Sequence, residues 1–506
     1  QGPASRSPRR ESSSQSAAVM ATMRAAFALV AGLAFAPAAS GQVLGAQPEV
    51  QPAMAIKQCK GGSCWPEQTQ IVMDMNWRWM HDKAGNTNCL GEGDAGWDKT
   101  LCPDPETCAK NCALEGVDAN GYRKTYKAKV VDGALALEFP NAPRVYMTEA
   151  GGTRYKMFNL LNREIAFDVD LSTLPCGLNT AIYFVEMPAD GGMGALNQAG
   201  AKYGTGYCDA QCPHMKFIHG EGNTEHFKKH TAENPDGKIL KVGPEGGKGI
   251  CCAELDLLEA NTRSSAYTAH PCNFEGDKEC EGDEECGDKD KGELGWCDKN
   301  GCGFNSWRMG DEKFWGPGPE YKVDTTKPIR IVTQFITTDG TDAGDLKEIR
   351  RKYIQDGKII ENSKATNLPG HPDSLTDDMC AASVKVYNET YWGYAPLGGL
   401  KAMGEAMRRG MVLTLSIWDD DFGRMLWLDA RKPAEKYHSK DPGVARGPCR
   451  FRDGSDEDIK ADLKKDGVTA VATYSNIFWG DLDSFKASLQ GKAEVIAEPV
   501  IPPTVS

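Results

Sequence analysis

Eighteen cysteines set the tightest limit on what this chain can fold into. The number is even and high for 506 residues, and in an oxidising compartment it reads as nine disulfides. The N-terminus points to such a compartment. From Met23 the chain reads MRAAFALVAGLAFAPAASGQ. Arg24 precedes an apolar run from Ala25 to Ala36, and the small residues Ala38, Ala39, Ser40 and Gly41 follow. That is the pattern of a secretory signal peptide, with cleavage expected after Gly41. The run is too short for an ordinary membrane-spanning helix, and no other stretch of the sequence is long and apolar enough for one. Residues 1–19, rich in Ser and Arg, lie ahead of the first Met and look like untranslated sequence. The expectation is a secreted, extracellular protein with no membrane partner.

Beyond Cys59, short β-like runs alternate with turn-rich loops. They include TQIVMDMNWRW, GALALEF, REIAFDVDL, TAIYFVEM, IRIVTQFI, MVLTLSIW and VTAVATYSNIFW. In IAFDVDL the residues Ile165, Phe167, Val169 and Leu171 share one face, and Asp168 and Asp170 point away. Helical periodicity is scarce; GGLKAMGEAMRRG and EIRRKYIQDG are the best short helix candidates. Many strands spread over more than four hundred residues predict a large all-β antiparallel sandwich. Residues 1–41 form the upstream segment and leader, 42–484 one domain, and 485–506 a polar, Pro-rich tail. Lys and Arg number 58 against 71 Asp and Glu, a net charge of −13. A nucleic-acid partner is excluded on that balance, because such binding needs a basic footprint.

Chemistry concentrates in CCAELDLLEANTRSSAYTAHPC, residues 251–272. Glu254, Asp256 and Glu259 alternate there with three leucines. On a helix these positions fall at roughly 0°, 200° and 140° and share no face. On a strand Glu254 and Asp256 share a face, and Glu259 joins them only if a bulge or strand end intervenes. Carboxylates crowded in this way repel and raise at least one pKa. Retaining glycoside hydrolysis uses such crowding, with one ionised nucleophile beside one protonated acid. A solvated polar face and a Ca²⁺ site are the competing readings, although Ca²⁺ sites favour loops rich in Asp, Asn and Gly. The adjacent Cys251 and Cys252, with Cys208 and Cys212, read as two disulfides joining two segments in preference to a zinc site.

The same segment closely resembles the active-site region of glycoside hydrolase family 7, the fungal-type cellobiohydrolases and endoglucanases. So do MNWRWMH (75–81), LCPDPETCAKNC (101–112), LPCGLNTAIYFVEM (174–187), AGAKYGTGYCDAQCP (199–213), RGMVLTLSIWDDDFGRMLWLD (409–429) and GVARGPC (443–449). The matches run in family order from about Gln58 to Trp479. The resemblance implies a concanavalin A-like β-jelly-roll sandwich of two large antiparallel sheets, with long disulfide-stapled loops forming a substrate tunnel. It implies Glu254 as nucleophile, Glu259 as general acid/base and Asp256 as the carboxylate that hydrogen-bonds the nucleophile. His270 matches a histidine near the acid/base on the product side, and Asp209 a residue neighbouring the nucleophile. Trp77, Trp79, Trp418 and Trp427 match sugar platforms, for which an indole suits both the apolar face and the hydroxyl edge of a sugar. Arg144, Asn179, Tyr183, Tyr207, Gln211, Arg308, Asp419 and Arg446 match polar residues lining the path of the glucan.

The family's disulfide pairing maps as Cys59–Cys64, Cys89–Cys112, Cys102–Cys108, Cys176–Cys449, Cys208–Cys252, Cys212–Cys251, Cys272–Cys297, Cys280–Cys286 and Cys302–Cys380. The expected partner is a β-1,4-glucan chain such as cellulose; no cofactor or metal is expected, and the protein is expected to be a monomer. No cellulose-binding module or Ser/Thr-rich linker is legible. The long segments Phe217–Gly249 and Cys272–Cys302 favour a roofed tunnel and hence a cellobiohydrolase; an endoglucanase is the alternative, and a non-catalytic lectin-like binder a more distant one. The chain departs from the family pattern at Ala210, around Lys291 and Gly292, in the shorter loop GMGALNQ (192–198), and at Lys432, where a tyrosine usually precedes the proline. One N-glycosylation sequon spans Asn388, Glu389 and Thr390.

Overall fold

The computed structural model describes residues 43–486, apart from 92–95, 225–227, 234–238, 246, 289–294, 390–392, 421, 433–435 and 437. The leader, the sequon's Thr390, Lys291 and Gly292, and the tail after residue 486 therefore lie outside the described residues.

Two large sheets, mostly antiparallel, dominate the fold. The first carries the site and has eight strands: β1 (Thr69–Met73), β2 (Val145–Glu149), β3 (Met157–Phe158), β4 (Leu178–Val185), β5 (Glu254–Ala260), β6 (Ser265–His270), β7 (Cys302–Asn305) and β8 (Met411–Asp419). Their spatial order is β7-β6-β5-β4-β8-β2-β1, with β3 paired to β8. The second sheet has nine strands, centred on Arg163–Asp170, Ile329–Thr337, Leu346–Gln355 and Val471–Asp481. Period-2 alternation drives the packing. Ile165, Phe167, Val169 and Leu171 are fully buried, and Asp168 turns outward to pair with Arg330. They share one core with Ile182 and Phe184 of β4, Leu255, Leu257 and Leu258 of β5, and Leu413 and Leu415 of β8. Each such side chain contributes about 1.5–3 kcal/mol by leaving water. Strand β4 is buried on both faces, one by this core and the other under the loops of the cleft, which is why NTAIYFV reads as an unbroken run. The architecture is the expected jelly-roll sandwich.

Two sequence expectations need adjustment. GGLKAMGEAMRRG is helical over Gly399–Arg409, but EIRRKYIQDG is not a helix. It lies in the strand Leu346–Gln355, where Ile349, Arg351 and Tyr353 face inward and Lys347 and Arg350 face out. Arg351 hid the alternation, because a cation occupies an inward position. Phe485, at the first position assigned to the tail, is fully buried, and its N–H bonds the Glu164 carboxylate; the fold therefore extends at least to it.

All nine disulfides pair as the resemblance implied. Cys208–Cys252 and Cys212–Cys251 consume the four sulfurs that a zinc reading needs. Of the expected roof, Phe217–Gly249 carries two short hairpins, Phe217–Ile218 with Glu221–Gly222 and Lys228–Glu233 with Ile239–Glu245.

Candidate active site

The site grows from an irregularity in β5. Against β6, Asp256 faces Thr268 and Glu259 faces Ala266, so three steps on one strand meet two on the other. This is the bulge that parity required. Against β4, Glu254 pairs with Val185, Asp256 with Tyr183 and Glu259 with Ala181. Those three partners alternate along one face of β4 and pack together away from the inter-sheet core. The bulge thus returns Glu259 to the face of Glu254 and Asp256, while Leu255, Leu257 and Leu258 anchor the strand from behind. Arg351 reaches through the core from the second sheet, and its guanidinium donates to the Leu257 carbonyl inside the bulge.

Hydrogen bonds hold each acid. The Ala210 N–H donates to Glu254 Oε2 at 3.1 Å. Asn179 Nδ2 donates to Glu259 Oε1 at 2.9 Å, and Asn179 Oδ1 accepts the Ala260 N–H at 3.0 Å, which locks the amide. Asp256 Oδ2 lies 3.0 Å from His270 Nε2. Among the hydrogen bonds of the described residues, Asp256 therefore engages His270 and not Glu254. The other imidazole nitrogen, Nδ1, lies 2.8 Å from the Asp298 carbonyl oxygen. Gly301, at φ +64°, permits this packing, since a Cβ there would come within 2.6 Å of the His270 ring. Asp209 accepts from the Tyr207 hydroxyl at 2.5 Å and from the Gln211 N–H at 2.8 Å, and Tyr207 lies 2.9 Å from the Tyr183 hydroxyl.

Burial sets the electrostatics. Glu254, Asp256 and His270 are each under a tenth exposed. Burial, then the charges of Asp256 and Asp209, hold Glu254 well above the usual carboxylate range. Burial and Asp256 do the same to Glu259, against the Asn179 hydrogen bond. Burial disfavours a charged His270, but Asp256 outweighs it and holds the imidazole up at about 10. The cluster therefore carries its own cation, and its burial biases the carboxyl groups toward the protonated form, the direction a general acid requires.

The remaining candidate residues span the sheet. At the β1 end, Asp74 caps the 3₁₀ turn Met75–Trp77. The buried Arg78 pairs with Glu49, so its neighbours Trp77 and Trp79 turn outward, 40% and 41% exposed. Arg144 is held by Asp74 at 2.6 Å and lies 3.2 Å over the Tyr207 ring and 5.7 Å from that of Trp77. In mid-sheet Trp418 is 37% exposed and stacks on Trp427 at 6.0 Å, and the Trp427 indole N–H bonds Asp420. Asp419 closes the same strand. Arg308 and Arg446 sit beyond β7, joined through Asn305. Gln211 is exposed and donates to the Lys299 carbonyl. The candidate residues thus run from the exposed indoles Trp77 and Trp79 at the β1 end, past Trp418 and the acids, to Arg308 and Arg446 beyond β7, with Asn179, Tyr183, Tyr207 and Arg308 buried. Asp74 and Arg351 escaped the sequence reading. The one local signal for the first is an acid three residues before Trp77, and nothing local signalled the second.

The profile of Glycosyl hydrolase family 7 matches residues 43–485. Among solved structures, a family 7 cellobiohydrolase from Daphnia pulex is 45% identical, with 87% of this chain and 99% of that one covered and a TM-score of 0.79. The endocellulase EGI of Humicola insolens is 36% identical over 87% and 99%, with a TM-score of 0.72. A cellobiohydrolase of Melanocarpus albomyces, complexed with cellotetraose, is 34% identical over 88% and 98%, with a TM-score of 0.75. On this evidence of sequence and fold together, the chain belongs to glycosyl hydrolase family 7.

Proposed function

We propose that the protein is a secreted, retaining cellobiohydrolase that cleaves β-1,4-glucan from the reducing end. The observation that carries this reading is the bulge that brings Glu254, Asp256 and Glu259 to one face of a sheet that also carries the exposed indoles Trp77, Trp79 and Trp418 toward its β1 side. In the first step a Glu254 carboxylate oxygen bonds the anomeric carbon as the glycosidic C–O bond breaks, and Glu259 gives its proton to the departing oxygen. In the second step Glu259, now ionised, takes a proton from water, which displaces Glu254 from the same carbon. Asp256, through His270, fixes the charge balance beside the nucleophile. Asn179 orients Glu259 and favours its ionised form for the second step.

The aromatic path suits an uncharged chain whose ring faces stack on indoles. The long segments 217–249 and 272–302, together with the Daphnia cellobiohydrolase likeness, favour the exo mode. The Humicola endocellulase likeness keeps an open-cleft endoglucanase as the second reading. Product analysis on crystalline cellulose separates them. Cellobiose as the dominant soluble product supports the cellobiohydrolase; mixed oligomers with rapid viscosity loss of carboxymethylcellulose support the endoglucanase. Binding of cello-oligosaccharides without hydrolysis overturns both in favour of a lectin-like role.

A further inference from the structure

The β7 end of the cleft is built differently from the rest. In a chain of net charge −13, the stretch 431–452 holds seven Lys or Arg against two acids. The bridge Arg431↔Ala445, with the Lys432 N–H on the Val444 carbonyl and the Arg446 N–H on that of Ala430, forms a short antiparallel pair. On such a pair Lys432 and Arg446 occupy the same face, diagonal to one another. Arg308 joins them. Its Nε donates to the Gly443 carbonyl at 3.2 Å, its guanidinium lies 4.6 Å over the Tyr387 ring, and it pairs with Glu389.

This cluster adjoins the acids. Glu259, Ala266 and Asn305 form one rung across β5, β6 and β7. Asn305 holds both the Arg308 N–H and the Arg446 carbonyl. Two strand spacings, roughly 10 Å, therefore separate this anchor from Glu259.

Among the described residues three cations meet two acids here, Glu389, which pairs with Arg308, and Asp420. Among the described residues the Lys432 ammonium makes no ion pair, and the buried Nε of Arg446 has no hydrogen-bond partner. Asp420, the other acid acting on Lys432, already accepts from the Trp427 indole and the Gly423 N–H. Burial, then Arg446 and Arg308, push Lys432 down to about 8. Burial and Arg308 likewise lower Arg446. A neutral sugar can accept hydrogen bonds from these donors but does not relieve their mutual repulsion, whereas an anion does both.

We propose that the β7 end of the cleft is a subsite for a saccharide bearing a carboxylate, framed by Lys432, Arg446 and Arg308. The inference rests on reading the cleft as the path of a glucan. Such a carboxylate arises either from oxidation of the reducing-terminal carbon to an aldonate or from a uronate at a sugar C6. The test is calorimetric titration of the mature enzyme, at mildly acidic pH and low salt, with cellobiose, cellobionate and a cellobiouronate. At least one acid is expected to bind about fivefold tighter than cellobiose, the factor of one partly exposed ion pair. Added salt should erode that preference. Preference for cellobionate alone identifies the terminal carboxylate, and preference for the uronate alone the C6 group. Lys432→Met should remove most of the preference and Lys432→Arg keep it; Arg446→Met replaces the first variant should it fail to fold. Equal or weaker binding of both acids overturns the subsite, as does a preference that survives both Met variants. Cellulose hydrolysis on the same preparation keeps the two readings apart. Active enzyme without acid preference overturns the subsite alone, whereas acid preference without glucan hydrolysis overturns the proposed function alone.

Discussion

Replacing Arg351 with Met tests how the strand that carries the three acids is shaped. Arg351 is 2% exposed, enters from the second sheet and donates to the Leu257 carbonyl within the bulge. Its guanidinium stacks 4.4 Å over Tyr267 and also engages the Tyr353 side chain, and among the described residues no acid pairs with it. Three energies change in Arg351→Met. An uncovered buried carbonyl costs about 1–3 kcal/mol, and losing a desolvated cation–π contact costs about 2 kcal/mol. Against these, removing a buried cation without an acid partner returns several kcal/mol. The terms nearly cancel, so the fold should survive with its stability changed by less than about 2 kcal/mol.

Activity should not survive equally. The freed Leu257 carbonyl lies between Asp256 and Glu259, and a shift of about 1 Å in such a site costs up to about 10²-fold. The expected loss in kcat is therefore about 10- to 100-fold, or about 1.4–2.7 kcal/mol of barrier. Initial rates on a chromogenic cellobioside, measured beside urea unfolding, read both quantities. Arg351→Lys, which keeps the charge but not the planar fork, should fall between. Full kcat in Arg351→Met would show that strand pairing alone sets the bulge. A stability loss beyond about 4 kcal/mol with parallel loss of activity would make Arg351 an ordinary structural residue.

Glu254→Gln should keep cello-oligosaccharide binding and abolish turnover. It should also stabilise the fold at neutral pH, because burial and the neighbouring Asp256 and Asp209 penalise the ionised carboxylate. The sign follows from the raised pKa: the penalty is absent below the ordinary glutamate value of 4.5 and grows as pH rises through the folded value. Thermal unfolding across pH should therefore show the gain fading on acidification. Since Glu254 and Glu259 both titrate high, the bell-shaped pH–rate profile should lie to the alkaline side of two ordinary carboxylates, with limbs belonging to the coupled pair. Asn179→Leu removes a hydrogen bond that lowers Glu259, so the alkaline limb should move further up while kcat falls about tenfold or more; an unmoved limb refutes the assigned contact.

Much of the site was legible because its logic is parity. Three acids on a leucine strand demand a bulge if they are to converge, and β5 has one. The disulfide frame followed from motif matches, which also singled out the indoles Trp77, Trp79, Trp418 and Trp427, three of them exposed. What sequence could not convey is long-range compensation. Arg351 sits 94 residues from the carbonyl it caps, and its charge masked the period-2 pattern of its own strand. The partner of Asp256 also depended on tertiary packing, because Gly301 lets His270 swing close enough to claim it. At Lys432 the sequence showed a departure, but only the folded loop showed which cations it faces.

The central claim is that Glu254 bonds the sugar. It is tested most directly by trapping the intermediate with an activated 2-deoxy-2-fluoro cellobioside and mapping the labelled peptide by mass spectrometry. The account predicts one cellobiosyl adduct, on Glu254, that Glu254→Gln abolishes. A label on Asp256 or Glu259, or turnover of the reagent with inverted anomeric configuration and no adduct, would contradict it.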